Sequence, residues 1–142
     1  MIGLADVNVL IYAANQGSDR HQAASSWLRR ALRGPAPVLL PWASLLGFAR
    51  IVTHRRIMPN PLTTAQAMDL IDRWLGSPAG RAVEPARGHA TIVKGLLDAA
   101  GQAGNLVPDA HLAALAIENH AEVITFDTDF ALFPQVRWRP PG

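Results

Sequence analysis

Residues 2–12 constrain the fold more than any other segment, because one carboxylate and one amide, Asp6 and Asn8, interrupt an otherwise apolar run. Residues 2–6 are too few for a helix, and their continuous hydrophobicity predicts a central parallel strand that is covered on both faces. Asp6 would then lie at the carboxyl end of this strand, where open α/β sheets bind their ligands. A buried carboxylate is costly unless it is paired, hydrogen-bonded or bound to a cation. We therefore predict that Asp6 belongs to a functional site; the alternative is that it only caps the turn into residues 9–13.

The composition indicates one ordinary globular domain, residues 1–142. The chain has 142 residues, of which 49% are hydrophobic, and this length is enough to bury roughly two-thirds of the unfolded surface. No cysteine is present, which excludes disulfides, thiol chemistry and cysteine-bound zinc. The amino terminus lacks the basic residues and the cleavage site of a signal peptide, and no apolar run is long enough to span a membrane. We therefore expect a cytoplasmic protein without a membrane partner.

Positive charge is carried almost entirely by arginine. The chain has 13 Lys+Arg against 11 Asp+Glu, a formal net charge of +2, and Lys94 is its single lysine. Guanidinium groups pair well with phosphate. The arginines cluster at residues 29–33, 50–56 and 137–139. These clusters agree either with a nucleic-acid partner or with an ordinary solvated surface.

Short apolar segments alternate with segments of helical periodicity along the whole chain. Strands are predicted at residues 2–6, 38–40, 81–84, 122–126 and, at the sheet edge, 136–138. Helices are predicted at residues 18–33 with Ser18 as the cap, at 42–54, between a Thr63/Gln66 capping box and Gly76, at 89–103 and at 109–120. This alternation predicts a three-layer α/β domain with a mainly parallel sheet of four to five strands flanked by helices.

A second aspartate is predicted to reach the same sheet edge as Asp6. Asp127 follows the predicted strand 122–126 directly, as Asp6 follows the first strand. The carboxyl ends of parallel strands lie on one edge of the sheet. Asp6 and Asp127 should therefore face the same site.

Asp109 is placed by its position on the predicted helix 109–120. It lies within about 80° of the apolar residues of that helix, so it continues the buried stripe at the first turn. A carboxylate in this position would open onto the strand ends; the alternative is that Asp109 is only the helix N-cap. Glu118 falls on the opposite side of the helix and is predicted to lie at the surface.

Converging carboxylates favour a hard cation. The chain has no cysteine and no pair of histidines at ligand spacing, so Mg²⁺ or Mn²⁺ is preferred over zinc. Such ions orient water and neutralise charge in phosphodiester cleavage. Glycine-rich phosphate-binding loops are absent, and Lys94 lies in the middle of a helix, where it does not match the lysine of a receiver domain.

Four segments carry a specific family pattern: residues 5–13 (ADVNVLIYA), 40–54 (LPW followed by GFAR and TH), 104–116 (GNLVPDAHLAALA) and 125–130 (TFDTDF). Together they resemble a PIN-domain protein, in particular a VapC-type toxin of a type II toxin–antitoxin pair. The resemblance covers essentially the whole chain and implies a PIN-like three-layer fold. It also implies an Mg²⁺- or Mn²⁺-dependent endoribonuclease that cleaves structured RNA such as tRNA, forms a homodimer and is neutralised by a cognate VapB-type antitoxin.

The resemblance also assigns roles to individual residues. Carried over position by position, Asp6, Asp109 and Asp127 match the family's catalytic metal carboxylates. Asn8 and Asp129 match its supporting polar positions. We interpret Asn8 as the residue that orients Asp6, and Asp129 as a catalytic residue that assists directly or through water.

One position departs from the family pattern. Many PIN domains carry a glutamate on the helix after the second strand, where this chain has Gly47. The helical phase puts Gly47, Arg50 and His54 away from the packed face, so Arg50 and His54 are candidate RNA contacts or part of a solvated face. Either three aspartates and water suffice for the metal, or activity is weakened. The alternative function is therefore a catalytically weak or inactive PIN-like module that binds RNA or an antitoxin.

Overall fold

The computed structural model describes residues 1–142 as a parallel sheet flanked by helices. The strands are β1 (Gly3–Ala5), β2 (Val38–Pro41), β3 (Gly80–Val83), β4 (Glu122–Ile124) and β5 (Trp138–Arg139). The helices are α1 (Val7–Ala14), α2 (His21–Ala31), α3 (Trp42–Val52), α4 (Thr64–Leu75), α5 (His89–Ala100) and α6 (Val107–Glu118). Two 3₁₀ turns complete the chain, at Gly104–Leu106 and Thr128–Leu132. The five strands follow the order β3-β2-β1-β4-β5, and every neighbouring pair is parallel.

The sheet is covered on both faces, as the apolar strands require. Successive side chains of a strand point to opposite faces, and Leu4 and Leu39 accordingly join the hydrophobic cluster under α5 and α6. Ala5 and Leu40 join a second cluster that packs against α1, α2, α3 and α4. The three-layer α/β arrangement predicted from the sequence is therefore confirmed.

The register of β1 and β4 brings the two predicted carboxylates to one edge. Ala5 pairs with Ile124, so both strands end at the same level. The backbone N–H of Asp6 donates to the carbonyl of Ile124 at 3.0 Å, which holds the two chain segments together just beyond the sheet. The residues that follow these strands therefore face one another across the central part of the edge.

Three helix boundaries differ from the predicted ones for local reasons. The cap at Ser18 is wrong, because α2 begins at His21 and the Ser18 hydroxyl instead accepts a hydrogen bond from Arg20 N. The fifth helix ends at Ala100, since Gly101 adopts a left-handed conformation with φ of 73°. The sixth helix begins at Val107 with a proline in its first turn, so Asp109 lies inside the helix and is not its N-cap.

Other boundaries shift by a few residues. β1 ends at Ala5 because Asp6 already caps α1, and α3 ends at Val52 instead of reaching residue 54. The last strand lies at Trp138–Arg139, later than the predicted 136–138. The capping box of Thr63 and Gln66 is confirmed, with both of its reciprocal hydrogen bonds present. None of the helices is both long enough and apolar enough to cross a bilayer.

Candidate active site

Asp6 combines the two roles that the sequence left open. Its side chain caps α1 through Oδ1, which accepts from Val7 N at 2.7 Å, while Oδ2 accepts from the Thr125 hydroxyl at 2.7 Å. The residue is 3% exposed, and this burial raises the pKa of Asp6, although the hydrogen bonds from Thr125 and Val7 oppose the rise. The negative charge of Asp127 raises the pKa further, so Asp6 is both a helix cap and part of an acidic site.

Thr125 and Asn8 position the surrounding groups. The Thr125 hydroxyl donates to Asp6 and accepts from Asp127 N at 2.9 Å, so one buried side chain contacts both segments. Asn8 donates to Asp6 Oδ2 and to Thr125 Oγ1, both at 3.2 Å, and its Oδ1 accepts from Phe126 N at 3.1 Å. Thr125 is not among the site residues predicted from the sequence, although a hydroxyl residue between an apolar strand and Asp127 is a usable signal.

Three carboxylates converge beside this network. Asp109, Asp127 and Asp129 each offer an oxygen, and these oxygens all lie within 4.8 Å of one another. Asp109 projects from the first turn of α6, whereas Asp127 caps the 3₁₀ turn that follows, with Oδ1 accepting from Asp129 N at 2.9 Å. Asp6 is adjacent, but both of its oxygens are engaged in the hydrogen bonds described above.

Burial and repulsion between like charges both disfavour ionisation of the cluster. Burial, the largest cause, acts together with the charges of Asp127, Asp6 and Asp129, in that order, to raise the pKa of Asp109 to about 7. The ion pairs of the chain lie elsewhere, at His89–Glu118, Lys94–Asp98 and Arg139–Glu122, so no protein cation compensates the cluster. Oxygen-only donors with excess negative charge suit a hard divalent cation.

A small cavity opens next to the acidic residues. It encloses about 130 Å³, and Asp6, Asp109, Ser44 and His111 are among the residues that line it. Ser44 is buried, and its hydroxyl donates to the carbonyl of Ala5 at 2.8 Å, which ties α3 to the end of β1. The cavity therefore lies between the starts of α3 and α6, at the strand ends.

The prediction that Glu118 lies at the surface is wrong. Its side chain is only 6% exposed, because α5 packs against α6, and it accepts hydrogen bonds from His89 Nδ1 at 2.8 Å and from Ala86 N at 3.1 Å. His89 Nε2 in turn lies 2.8 Å from His111 Nδ1, so a hydrogen-bonded chain runs from Glu118 to the cavity. Burial, followed by the charge of His89, lowers the pKa of His111.

Arg50 and His54 belong neither to the carboxylate cluster nor to the lining of the cavity. Arg50 is exposed in the last turn of α3, six residues after Ser44, which corresponds to about 9 Å along a helix axis. His54 follows the end of the helix, and its Nδ1 accepts from Arg56 N at 3.2 Å. RNA contact by these two residues stays a prediction.

Gly47 does not face away from the packed structure as the helical phase indicated. A Cβ at this position would lie 3.1 Å from Val7 Cγ2, which is closer than most Cβ contacts. Val7 directly follows Asp6 and lines the cavity. Gly47 therefore allows a close approach between α3 and the start of α1, on the side of the acidic site.

Comparison with known proteins places this arrangement in context. The sequence model of the PIN domain matches residues 4–135. Ribonuclease VapC37 of Mycobacterium tuberculosis is 41% identical over 138 residues, which cover 97% of this chain and 96% of that protein. Among solved structures, VapBC2 from Rickettsia felis bound to a DNA fragment from its promoter has a TM-score of 0.70 at 18% identity and full coverage of both chains. VapC20 of M. tuberculosis, described as a Sarcin-Ricin loop cleaving toxin, has a TM-score of 0.67 at 17% identity and covers 95% of this chain and 98% of its own.

Proposed function

The chain belongs to the PIN domain family, and on this premise we propose that it is a divalent-metal-dependent endoribonuclease of the VapC type. The observation that carries the proposal is the convergence of Asp109, Asp127 and Asp129 beside Asp6 at the carboxyl edge of the sheet. These oxygens would hold Mg²⁺ or Mn²⁺, which prefer such ligands. When bound, an ion of this kind neutralises charge and activates water for phosphodiester cleavage.

The protein's own contribution is to hold the carboxylates in place before RNA binds. Asp6 completes the proposed ligand set from a fixed position, because α1 and Thr125 each hold one of its oxygens. Thr125 also anchors the backbone of Asp127, and Asn8 bridges α1 and the segment after β4. Preorganised groups of this kind avoid the cost of ordering at the moment of reaction.

The relatives support the proposed substrate and partner. The name of the 41% identical relative supports RNA as the substrate, and we retain structured RNA such as tRNA as the specific class. A VapB-type antitoxin is the proposed regulator, since a chain of the same fold comes from a VapBC complex. A homodimer remains part of the proposal, to be tested by the mass of the purified protein in solution.

Cleavage of RNA by the purified protein tests the activity. We expect cleavage of a tRNA mixture in Mg²⁺ or Mn²⁺, its loss in EDTA, and its loss in the Asp109→Asn variant. Asp69→Asn is the matched control, because Asp69 is an exposed acid on α4, far along the chain from the cluster. Activity that survives both EDTA and Asp109→Asn would rule out the metal proposal.

Gly47 favours a second candidate function. Without a carboxylate at this position, the chain could be a PIN-like module that binds RNA or an antitoxin and cleaves weakly or not at all. The same experiment separates the two candidates: a protein that retains RNA in a binding assay but leaves it intact in Mn²⁺ is the module, whereas metal-dependent products identify the enzyme.

A further inference from the structure

Arg20 is held by two aromatic rings, one of which, Phe126, immediately precedes Asp127 in the chain. Its guanidinium lies over the rings of Phe126 and Tyr12, with centroid distances of 4.9 and 5.6 Å, and the two rings meet edge to face at 5.4 Å. The backbone is also fixed, because Arg20 N donates to the Ser18 hydroxyl at 3.1 Å. His21 Nδ1 lies 2.9 Å from the carbonyl of Tyr12 and ties the start of α2 to α1. The side chain is therefore positioned, although the residue is exposed.

The hydrogen-bonding capacity of this guanidinium is unused within the protein. Arg20 takes part in none of the ion pairs, and its side chain donates to no protein acceptor. Arg139, in contrast, donates to Glu122, and Arg29 donates to Ser25. A guanidinium that rests on aromatic faces still presents its N–H groups at the edge of its plane, where they can bind an anion.

The two rings that contact Arg20 lie on the chain segments that also carry carboxylates of the acidic site, namely α1 and the segment after β4. Phe126 immediately precedes Asp127, and Tyr12 lies one helical turn after Asn8 on α1. Asn8 joins these segments, because its side chain accepts from Phe126 N and donates to Asp6. The rings that support Arg20 are therefore joined to the carboxylate-bearing segments by short, hydrogen-bonded connections.

We propose that Arg20 binds a phosphodiester of the RNA next to the one that reaches the carboxylate cluster. This inference rests on the proposed function. The carboxylates of Asp6, Asp109, Asp127 and Asp129 repel the other phosphates of a polyanion, and a fixed cation carried by the adjoining segments would offset this repulsion. An arginine is suited to this role, because its two parallel N–H groups bind two phosphate oxygens at once.

Binding of a labelled synthetic RNA hairpin, followed by fluorescence anisotropy, tests the role of Arg20. All proteins carry Asp127→Asn so that the RNA stays intact, and Arg20→Ala is compared with Arg33→Ala, an exposed arginine just past the opposite end of α2. We expect Arg20→Ala to weaken binding about tenfold. The slope of log affinity against log salt concentration should fall by about one, a change that loss of structure alone would not produce. Arg20→Lys should keep the salt slope but lose part of the affinity, since lysine cannot bind both oxygens.

Hairpins with a single uncharged methylphosphonate at successive loop positions identify the phosphate. At one loop position, the methylphosphonate should weaken binding to the protein that has Arg20. The same hairpin should bind the Arg20→Ala protein as well as the unmodified hairpin does, because that protein already lacks the arginine that contacts this phosphate. Equal affinities and salt slopes for Arg20→Ala and Arg33→Ala would overturn the proposal. So would a loss of affinity for an antitoxin peptide without any loss for RNA. A wild-type protein that binds RNA through Arg20 yet cleaves none would contradict the proposed function alone.

Discussion

Replacing Asp109 by asparagine should stabilise the metal-free protein at neutral pH. Burial and the neighbouring charges of Asp127, Asp6 and Asp129 raise the pKa of Asp109 to about 7. An acid whose pKa is higher in the folded than in the unfolded state binds more protons when folded, so the free energy of unfolding decreases as pH rises from about 4 to about 7. Above pH 7 the whole penalty is present. Asparagine carries no charge, and Asp109→Asn therefore removes this penalty.

The expected size of the effect follows from the shift and the exposure of the side chain. A rise in pKa from 3.8 to about 7 corresponds to about 4 kcal/mol if the carboxylate is shielded completely from water. Asp109 is only half-buried, and solvent screens the repulsion, so the expected gain is about 1–2 kcal/mol. For a domain of this size, such a gain raises Tm by about 3–8 °C. Burial also raises the pKa of Asp6, so some pH dependence should remain in the variant.

Thermal unfolding in EDTA between pH 4.5 and 8.5 measures this effect. The wild type should lose stability as the pH rises towards about 7 and then level off, and Asp109→Asn should show a flatter profile and a higher Tm at pH 8. Asp69→Asn, which replaces an exposed acid on α4, controls for the change in net charge. The reasoning is refuted if the wild type is equally stable at pH 5 and pH 8, or if the two asparagine variants raise Tm by the same amount.

Four further outcomes are expected. Asp127→Asn should lower RNA cleavage at least about 100-fold while leaving the far-UV circular dichroism unchanged, because losing even a group that only orients a metal ligand costs 10- to 100-fold; near-normal cleavage would contradict its proposed role. Mg²⁺ or Mn²⁺ at about 100 times its Kd should raise the free energy of unfolding of the wild type by about 2.7 kcal/mol, and that of Asp127→Asn by less. Calorimetry of thermal unfolding measures this, and equal increases in Tm for the two proteins would mean that the ion binds elsewhere. Glu118→Ala should destabilise the protein by about 2–3 kcal/mol in urea titrations, because His89 loses its buried acceptor; a loss under about 0.5 kcal/mol, typical of surface positions, would show that the hydrogen-bonded chain is unimportant for stability. Gly95→Ala, in open space on α5, should gain about 1 kcal/mol from helix propensity, whereas Gly47→Ala should gain clearly less; equal gains would disprove the close contact of α3 with α1.

The layer arrangement was predictable because its signal is local. The continuous apolar character of residues 38–40 and 122–126 marks strands buried on both faces, and the structure contains β2 and β4 there. The capping box at Thr63 is equally local, since it involves residues three positions apart. Ser18 shows where such local reasoning fails: its hydroxyl serves the turn between α1 and α2, whose shape depends on the contact of His21 with Tyr12.

Part of the candidate site was predictable for the same reason. Parallel strands end on one edge, so Asp6 and Asp127 could be placed together from strand positions alone. The distances between the side-chain oxygens could not be predicted from strand positions. The structure gathers Asp109, Asp127 and Asp129 within 4.8 Å, while the oxygens of Asp6 are held by Val7, Thr125 and Asn8, and this division of roles depends on hydrogen bonds across the sheet edge.

Contacts between distant helices were beyond the sequence pattern. A helical wheel places Glu118 opposite the core stripe of α6, and this angle alone predicts an exposed side chain. The wheel describes one helix only, whereas α5 covers that side and supplies His89, which lies 29 residues away in the sequence. Glu118 can be buried on this side of α6 because α5 supplies a polar partner for it. The pattern of apolar residues in α6 contains no information about that partner.

The glycine at position 47 can mean either that a metal ligand is missing or that two helices need to pack closely, and only the structure distinguishes these. Many PIN domains carry a glutamate at this position, and the helical phase alone predicts that Gly47 lies away from the packed face, where a larger side chain would have room. The position does lie on the side of the acidic site, because its nearest neighbour is Val7, directly after Asp6. The same contact, 3.1 Å from an added Cβ to Val7 Cγ2, means that any larger residue must push α3 or the Val7 side chain aside. A carboxylate at this position would therefore bring both a donor and a packing cost, whereas the glycine lets α3 lie close to α1 and leaves the proposed metal site with its four aspartates alone.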